Sequence, residues 1–274
     1  MKRSRRHALG QHFLSQPGVL DKIVRAVDPR PDEVILEVGP GKGGLTSLLA
    51  ARAGGVIGVE KDHRLIPRLE ALGLERTTIV HDDILTADWR GLLKRHGRGL
   101  TKAKLAGNIP YAISSPLLDR VLETRGLFGL CVFLVQKEFS EKLAAPPGSK
   151  SYGPLSIVAQ RFFEVKRRFA VSPGSFNPPP RVESEVVSLV PRGAIEHPVA
   201  DEAGLARFIH ACFAERRKTL ANNLVRLGLG REASETALAG AGLGLKVRAE
   251  DVPAAVFIDL FESLGEPKPG LQDR

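Results

Sequence analysis

Four stretches of the chain carry groups that can do chemistry. The first, Val34-Ile-Leu-Glu-Val-Gly-Pro-Gly-Lys-Gly-Gly-Leu-Thr46, joins an aliphatic run to a glycine-rich turn. Glycines at 39, 41 and 44 permit positive φ and let a ligand come close to the backbone, and the helical pattern that follows offers free N–H groups at its start. Single carboxylates stand further on at Glu60 and Asp83. The fourth stretch, Gly107-Asn108-Ile109-Pro110-Tyr111, sets an amide, a carbonyl and an aromatic ring side by side.

Gly39-x-Gly41-x-x-Gly44, with Glu60 21 positions after Gly39, satisfies the spacing of a dinucleotide site. Glu37 argues against NAD, because a carboxylate two residues before the first glycine would face the pyrophosphate. S-adenosylmethionine has no phosphate and carries a sulfonium and an ammonium, which an acidic rim favours electrostatically. Glu37, Gly39 and Gly41 are therefore expected at the cofactor, with Glu60 at the ribose hydroxyls and Asp83 at the adenine amine. The plain alternatives are a tight strand-to-helix turn for the glycines, an ion pair with Lys61 or Arg64 for Glu60, and a helix cap for Asp82 and Asp83.

Pro110 fixes its own φ and restricts Ile109 to an extended conformation, so the Ile109 carbonyl and the Asn108 amide point in a set direction. Two adjacent acceptors suit an amino group. An adenine N6 amine is a poor nucleophile because its lone pair is delocalised into the ring. Accepting both of its N–H bonds favours the pyramidal form that attacks a methyl group. Tyr111 is expected to stack on the base once it has left its helix or loop. The proton leaves after methyl transfer, so no dedicated base is needed. The alternative is a β-turn with a capping Asn and a core Tyr.

A regular alternation of elements has to position these groups. Strands are expected at 34–38, 56–60, 77–80, 104–107 and 130–135, with helices at 19–27, 45–53, 63–72, 89–95, 115–122 and 138–143. Short connections between them imply an α/β fold, a parallel sheet with helices on both faces and ligands at the carboxyl ends of the strands. Gly39, Glu60, Asp83 and Asn108 all fall at such ends. A helix at 155–163 and strands at 164–171 and 182–190 follow, the strands read as a terminal hairpin around a Pro-rich loop that holds Phe176. The linker Pro191 to Pro198 separates a first domain, 1–192, from a small helical bundle, 193–274, with helices at 205–213, 220–227 and 256–264.

Net charge is +9, split as +11 over residues 1–192 and −2 over 193–274. Basic clusters at Lys2 to Arg6, Lys166 to Arg168 and Arg216-Arg217-Lys218 favour a nucleic-acid partner. The two cysteines, Cys131 and Cys212, lie far apart in apolar surroundings, which points to a reducing compartment without a disulfide framework. No metal-ligand spacing, apolar leader or membrane-spanning stretch is present in the sequence, so a cytoplasmic protein without metal is expected.

Taken together, Gly10-Gln-His-Phe-Leu14, Glu37-Val-Gly-Pro-Gly-Lys-Gly-Gly-Leu-Thr46, Gly107-Asn-Ile-Pro-Tyr111 with Ser114-Ser-Pro116, Gln136-Lys-Glu138, Tyr152-Gly-Pro-Leu-Ser156, Phe176-Asn-Pro-Pro-Pro-Arg-Val-Glu-Ser184 and Arg216-Arg-Lys-Thr-Leu-Ala-Asn-Asn-Leu224 form an ordered set. The set closely resembles the ribosomal RNA adenine N6,N6-dimethyltransferases, the kasugamycin-sensitivity family. The resemblance implies a class I methyltransferase (Rossmann-like) domain with a small C-terminal helical domain that contacts RNA. It implies S-adenosylmethionine as cofactor, S-adenosylhomocysteine as product and, as substrate, two adjacent adenosines in the 3′-terminal hairpin of small-subunit rRNA. The partner is then a 30S precursor, met by a monomer. By the same resemblance His12 and Leu14 close over the cofactor, Asn108 bridges cofactor and target amine, and Phe176 stacks on the base opposite Tyr111. Lys150, Arg216, Arg217 and Lys218 are the implied RNA contacts. Two departures stand out: His12 and Ala112 each occupy a position where the family often has Asn. Three rivals remain: a macrolide-resistance methyltransferase of large-subunit rRNA, a dehydrogenase, and an assembly factor that chiefly binds the small subunit.

Overall fold

A computed structural model describes residues 12–265 except 194 and 196. The basic arm Lys2 to Arg6, Gly10-Gln11 and the tail from Glu266 lie outside the described residues. In chain order the elements are β1 (Phe13–Leu14), α1 (Pro17–Val27), β2 (Glu33–Val38), α2 (Gly44–Ala50), β3 (Gly55–Glu60), α3 (Ile66–Glu70), β4 (Thr77–His81), α4 (Trp89–His96), β5 (Lys102–Asn108), α5 (Ser114–Glu123) and β6 (Leu130–Gln136). They continue with α6 (Lys137–Leu143), α7 (Pro154–Phe162), β7 (Phe163–Val171), β8 (Phe176–Asn177), β9 (Ser184–Pro191), α8 (Glu202–Cys212), α9 (Leu220–Arg226), α10 (Arg231–Gly240) and α11 (Ala254–Leu264).

The main sheet has seven strands in the order β4-β3-β2-β5-β6-β9-β7. Its first five strands are parallel, as their unbroken apolar runs require: β3 is buried at every position and β2 at every position after Glu33. The other two make the sheet mixed. β9 runs antiparallel to β6 and to β7, so the expected terminal hairpin forms with β9 inserted between them. β7 is the edge strand, and its Lys166, Arg167 and Arg168 are exposed; such charges keep an open edge from pairing with another chain. Lys166 pairs with Glu164 and Arg167 with Glu185, so part of that basic cluster is neutralised locally.

From β2 the chain builds outward through β3 and β4, then returns to lay down β5 and β6 on the other side. The β2–β5 junction is thus the topological switch point, where parallel α/β sheets open a crevice beyond the strand ends. Val38 pairs with Gly107 there, which brings the glycine turn and the Asn108 turn together. Gly107 is required at this register: a Cβ on it would lie 2.6 Å from the Val38 carbonyl oxygen and 2.9 Å from the Val38 Cβ.

The chain divides into two compact units, 1–140 with 163–191 and 141–162 with 192–274. Residues 141–162, counted from sequence with the first domain, therefore belong with the helical unit. Ala145, Tyr152 and Ile157 are part of its apolar core with Phe208, Leu224 and Phe257, and the Tyr152 hydroxyl donates to the Val252 carbonyl at 3.1 Å. Cys131 and Cys212 are buried free thiols, which burial makes harder to ionise. No helix among the described residues is long and apolar enough to cross a membrane.

Candidate active site

At the switch point lies a cleft of about 500 Å³ lined by His12, Phe13, Gly39, Gly41, Glu60 and the Asn108 to Tyr111 turn, with Phe176 closing it. Gly39 and Gly41 have φ of +60° and +62°. A Cβ on Gly39 would meet nothing within 4 Å, so the absent side chain leaves an open cradle against the backbone. A Cβ on Gly41 would come 3.1 Å from the Phe13 ring, which rests on that glycine. Glu60, 4 % exposed, ends β3 inside this cradle. Its Oε2 accepts the Gly41 N–H and its Oε1 the Asp62 N–H, both at 2.9 Å. One carboxylate thus holds the turn and keeps lone pairs for hydroxyl donors. The cradle and the acidic group on its rim fit the ribose and amino-acid parts of S-adenosylmethionine.

The acceptor side is built on the turn after β5. Asn108 Nδ2 donates to the His12 carbonyl oxygen at 2.8 Å. A carbonyl only accepts, so this bond fixes which end of the amide is nitrogen and leaves Oδ1 as the acceptor. The Tyr111 hydroxyl shares a 2.6 Å hydrogen bond with Ser184 Oγ. Burial raises the Tyr111 pKa, the Ser184 bond acting against it, so the phenol stays neutral and the ring serves as a surface. Phe176, also 4 % exposed, sits in β8, whose partner is β1: Leu14 pairs with Phe176 and Phe13 with Asn177. The structure therefore gathers His12, Gly39, Gly41, Glu60, Asn108, Pro110, Tyr111 and Phe176 around one cleft.

Three other expected cofactor residues do not line this cleft. Leu14 does not line the cleft but packs on the apolar core under the sheet. Phe13, one residue earlier, lines it and also receives Lys42 Nζ 4.7 Å above its ring. Asp83 is outside the lining; its Oδ2 pairs with Lys61 Nζ at 2.6 Å and its Oδ1 accepts the Leu85 N–H. The Lys61 ammonium holds the Asp83 carboxyl below its ordinary pKa. Glu37 departs furthest from expectation, because it is buried in β2 and is not a charge on the rim.

Burial pushes the Glu37 pKa up to about 8, the negative Glu60 adding to the rise and the Thr46 hydroxyl opposing it. Glu37 Oε2 and Thr46 Oγ1 nevertheless lack partners of hydrogen-bonding geometry. A carboxyl with that pKa is mostly protonated at neutral pH, so its charge cannot select a sulfonium over a pyrophosphate. Unfolding releases it to an ordinary value near 4.5. Its preference for the folded state is complete below about 4.5 and is lost as pH rises through about 8. Glu37→Gln should therefore remove a pH slope: between pH 6 and 9 the unmodified chain should lose about 3 kcal/mol relative to the variant. Urea unfolding of both proteins at the two pH values checks this, and parallel stability curves would contradict it.

In the helical unit Lys150, Arg216, Arg217 and Lys218 are exposed. Arg216 differs from the other three, since its guanidinium is used internally. It donates to the Lys150 carbonyl at 2.9 Å and the Tyr152 carbonyl at 3.3 Å, and pairs with Glu250 at 3.0 Å. The residue expected at RNA thus braces the 150–152 turn.

A family model described as ribosomal RNA adenine dimethylase matches residues 2–266. A Geobacter metallireducens protein named ribosomal RNA small subunit methyltransferase A is 45% identical over 94% of this chain and 95% of its own length. One of the same name from Xylella fastidiosa is 38% identical over 92% and 93%. Among solved structures, a dimethyladenosine transferase from Plasmodium falciparum aligns with TM-score 0.75 and 26% identity, covering 93% of this chain and 99% of that one. The 23S rRNA methyltransferase ErmE aligns with TM-score 0.71 and 28% identity, covering 93% and 100%. These neighbours share the class I methyltransferase fold described above. With relatives collinear over nearly their whole length and the family model spanning almost the full sequence, the chain belongs to the ribosomal RNA adenine dimethylase family.

Proposed function

We propose that the protein dimethylates N6 of two adjacent adenosines in the 3′-terminal hairpin of small-subunit rRNA during subunit maturation, with S-adenosylmethionine as methyl donor. The observation that carries this reading is the Asn108 amide, whose nitrogen is fixed on the His12 carbonyl and which lines a cleft together with aromatic rings. Gly39, Gly41 and Glu60 would hold the cofactor, with Asp83 at its adenine end once the amine shares that carboxylate with Lys61. When bound, the cofactor supplies an electrophilic methyl carbon on a sulfonium and leaves as S-adenosylhomocysteine. Asn108 Oδ1 and the Ile109 carbonyl would accept the N–H bonds of the target amine and so localise its lone pair on nitrogen. Tyr111 and Phe176 would hold the flipped base between them. Once the C–N bond has formed, the cationic nitrogen releases its proton to water, and no side chain has to act as base.

The basic sheet unit and the exposed Lys150, Arg217 and Lys218 of the helical unit would meet RNA phosphates of a 30S precursor, the protein acting as a cytoplasmic monomer. A second reading, methylation of large-subunit rRNA, is favoured by the likeness to ErmE, a 23S enzyme. The higher identity of relatives named for the small subunit outweighs it. Transfer of labelled methyl groups from S-adenosylmethionine to undermethylated small subunits and, separately, to large subunits decides between them. Label in the small subunit is expected; label confined to the large subunit would overturn the proposal.

A further inference from the structure

We infer that Ser184 is a positioning residue for the target base: its hydroxyl pins the outer end of the Tyr111 ring and so sets the gap between Tyr111 and Phe176, the two aromatic side chains that would hold the base. The inference deepens the proposed methyl transfer and rests on it for the identity of that base. Tyr111 lines the cleft and opens a single 3₁₀ turn, Tyr111–Ile113. So short a turn fixes where the side chain starts, while its staggered χ1 wells leave the far end of a long ring several resting places. That far end is held by the 2.6 Å hydrogen bond between the Tyr111 hydroxyl and Ser184 Oγ. Each hydroxyl can donate or accept, so the bond forms in either direction.

The Ser184 end of the bond is a firm one. Ser184 is buried at the start of β9, with its backbone in register with Gln136 of β6 on one side and Val171 of β7 on the other. The residue before it is held as well: the Glu183 carbonyl accepts the Lys137 N–H at 3.1 Å, and the Glu183 carboxylate pairs with Lys137 Nζ at 2.6 Å. Ser184 also ends the loop that starts from Phe176 in β8. The phenol bond therefore ties one aromatic side chain to the foot of the loop that carries the other. Ser184 does not line the cleft itself, so its effect on the base passes through Tyr111.

The test compares the full chain with Ser184→Ala, Tyr111→Phe and the double variant. Tyr111→Phe keeps the ring and loses only the hydroxyl, so the two single variants remove one interaction from its two ends. The chain has two tyrosines, Tyr111 and Tyr152, so isotope labelling of tyrosine Cζ gives two NMR signals that Tyr111→Phe assigns. The Tyr111 signal should shift and broaden in Ser184→Ala while the Tyr152 signal stays, a result independent of which RNA is methylated. Single-turnover methyl transfer to saturating undermethylated small subunits should fall about five- to tenfold in either single variant, the order expected for one lost hydrogen bond, and no further in the double variant. Calorimetric affinity for S-adenosylhomocysteine should stay unchanged in all three. An unmoved Tyr111 signal, or the parent rate in Ser184→Ala, would overturn the inference. So would losses that multiply in the double variant or a matching loss of cofactor affinity, either of which would make Ser184 a general support of the fold. If label enters large subunits alone, the functional proposal fails, and the same rate comparison on large subunits decides the role of Ser184.

Discussion

Asn108→Ala should lower methyl transfer by about 10²–10³-fold, the size of effect seen when one preorganised hydrogen-bonding partner of a reacting group is removed. Asn108 is proposed to serve the amine, so substrate capture should persist. The phosphate contacts proposed above lie elsewhere, and small-subunit binding in a filter or sedimentation assay should change little. Asn108→Asp is an informative companion. It keeps the shape but replaces the N–H donor with a carboxylate oxygen facing the His12 carbonyl, which only accepts. The two acceptors repel, so Asp should be no better than Ala despite presenting an acceptor to the amine. Retention of near-parent rates by either variant would remove Asn108 from the mechanism.

Glu60→Ala should damage cofactor binding and folding together. The carboxylate accepts two backbone N–H groups at 2.9 Å, those of Gly41 and Asp62, in a place where Glu60 itself is only 4 % exposed. Truncation leaves both donors without the partner that orders the turn, and an orphaned buried donor costs about 1–3 kcal/mol, so a loss on the order of 2–5 kcal/mol is expected. The proposed acceptor of the ribose hydroxyls is lost at the same time, and affinity for S-adenosylhomocysteine should fall at least ~100-fold. Glu60→Gln keeps one acceptor and should fall between. Denaturant unfolding gives the first quantity and titration calorimetry the second. Affinity within threefold of the parent in a folded Glu60→Ala protein would show that Glu60 is only a brace for the glycine turn.

How far the residues themselves announce this site depends on whether the signal is local. β2, β3 and β5 could be placed because short β-branched and aliphatic runs end in glycine, acid or Asn-x-Pro, each a local constraint on the backbone. Gly39, Glu60 and Asn108 followed, since strand ends at a switch point are set by connectivity. Glu37 departs from expectation because alternation within a strand decides whether a side chain faces a cleft or the interior, and a motif does not say which. Phe13 and Leu14 differ by that same alternation: Leu14 joins the core while Phe13 covers Gly41. Arg216 is expected at RNA beside Arg217 and Lys218, and only its distance to the Lys150 and Tyr152 carbonyls identifies a brace. α10 was missed because its stretch, Arg-Glu-Ala-Ser-Glu-Thr-Ala-Leu-Ala-Gly, buries only Ser234 and Leu238 and carries little apolar periodicity. The placement of 141–162 rests on long-range packing of Tyr152 and Ile157, which no local pattern encodes.

The most direct measurement of the central claim is mass analysis of nuclease-digested RNA from undermethylated small subunits after reaction with the purified protein and S-adenosylmethionine. Two adjacent N6,N6-dimethyladenosines are expected in a 3′-terminal fragment of the small-subunit RNA, and their absence with Asn108→Ala. Methyl groups on another base or another atom, or dimethyladenosine formed only when large subunits are supplied, would contradict it.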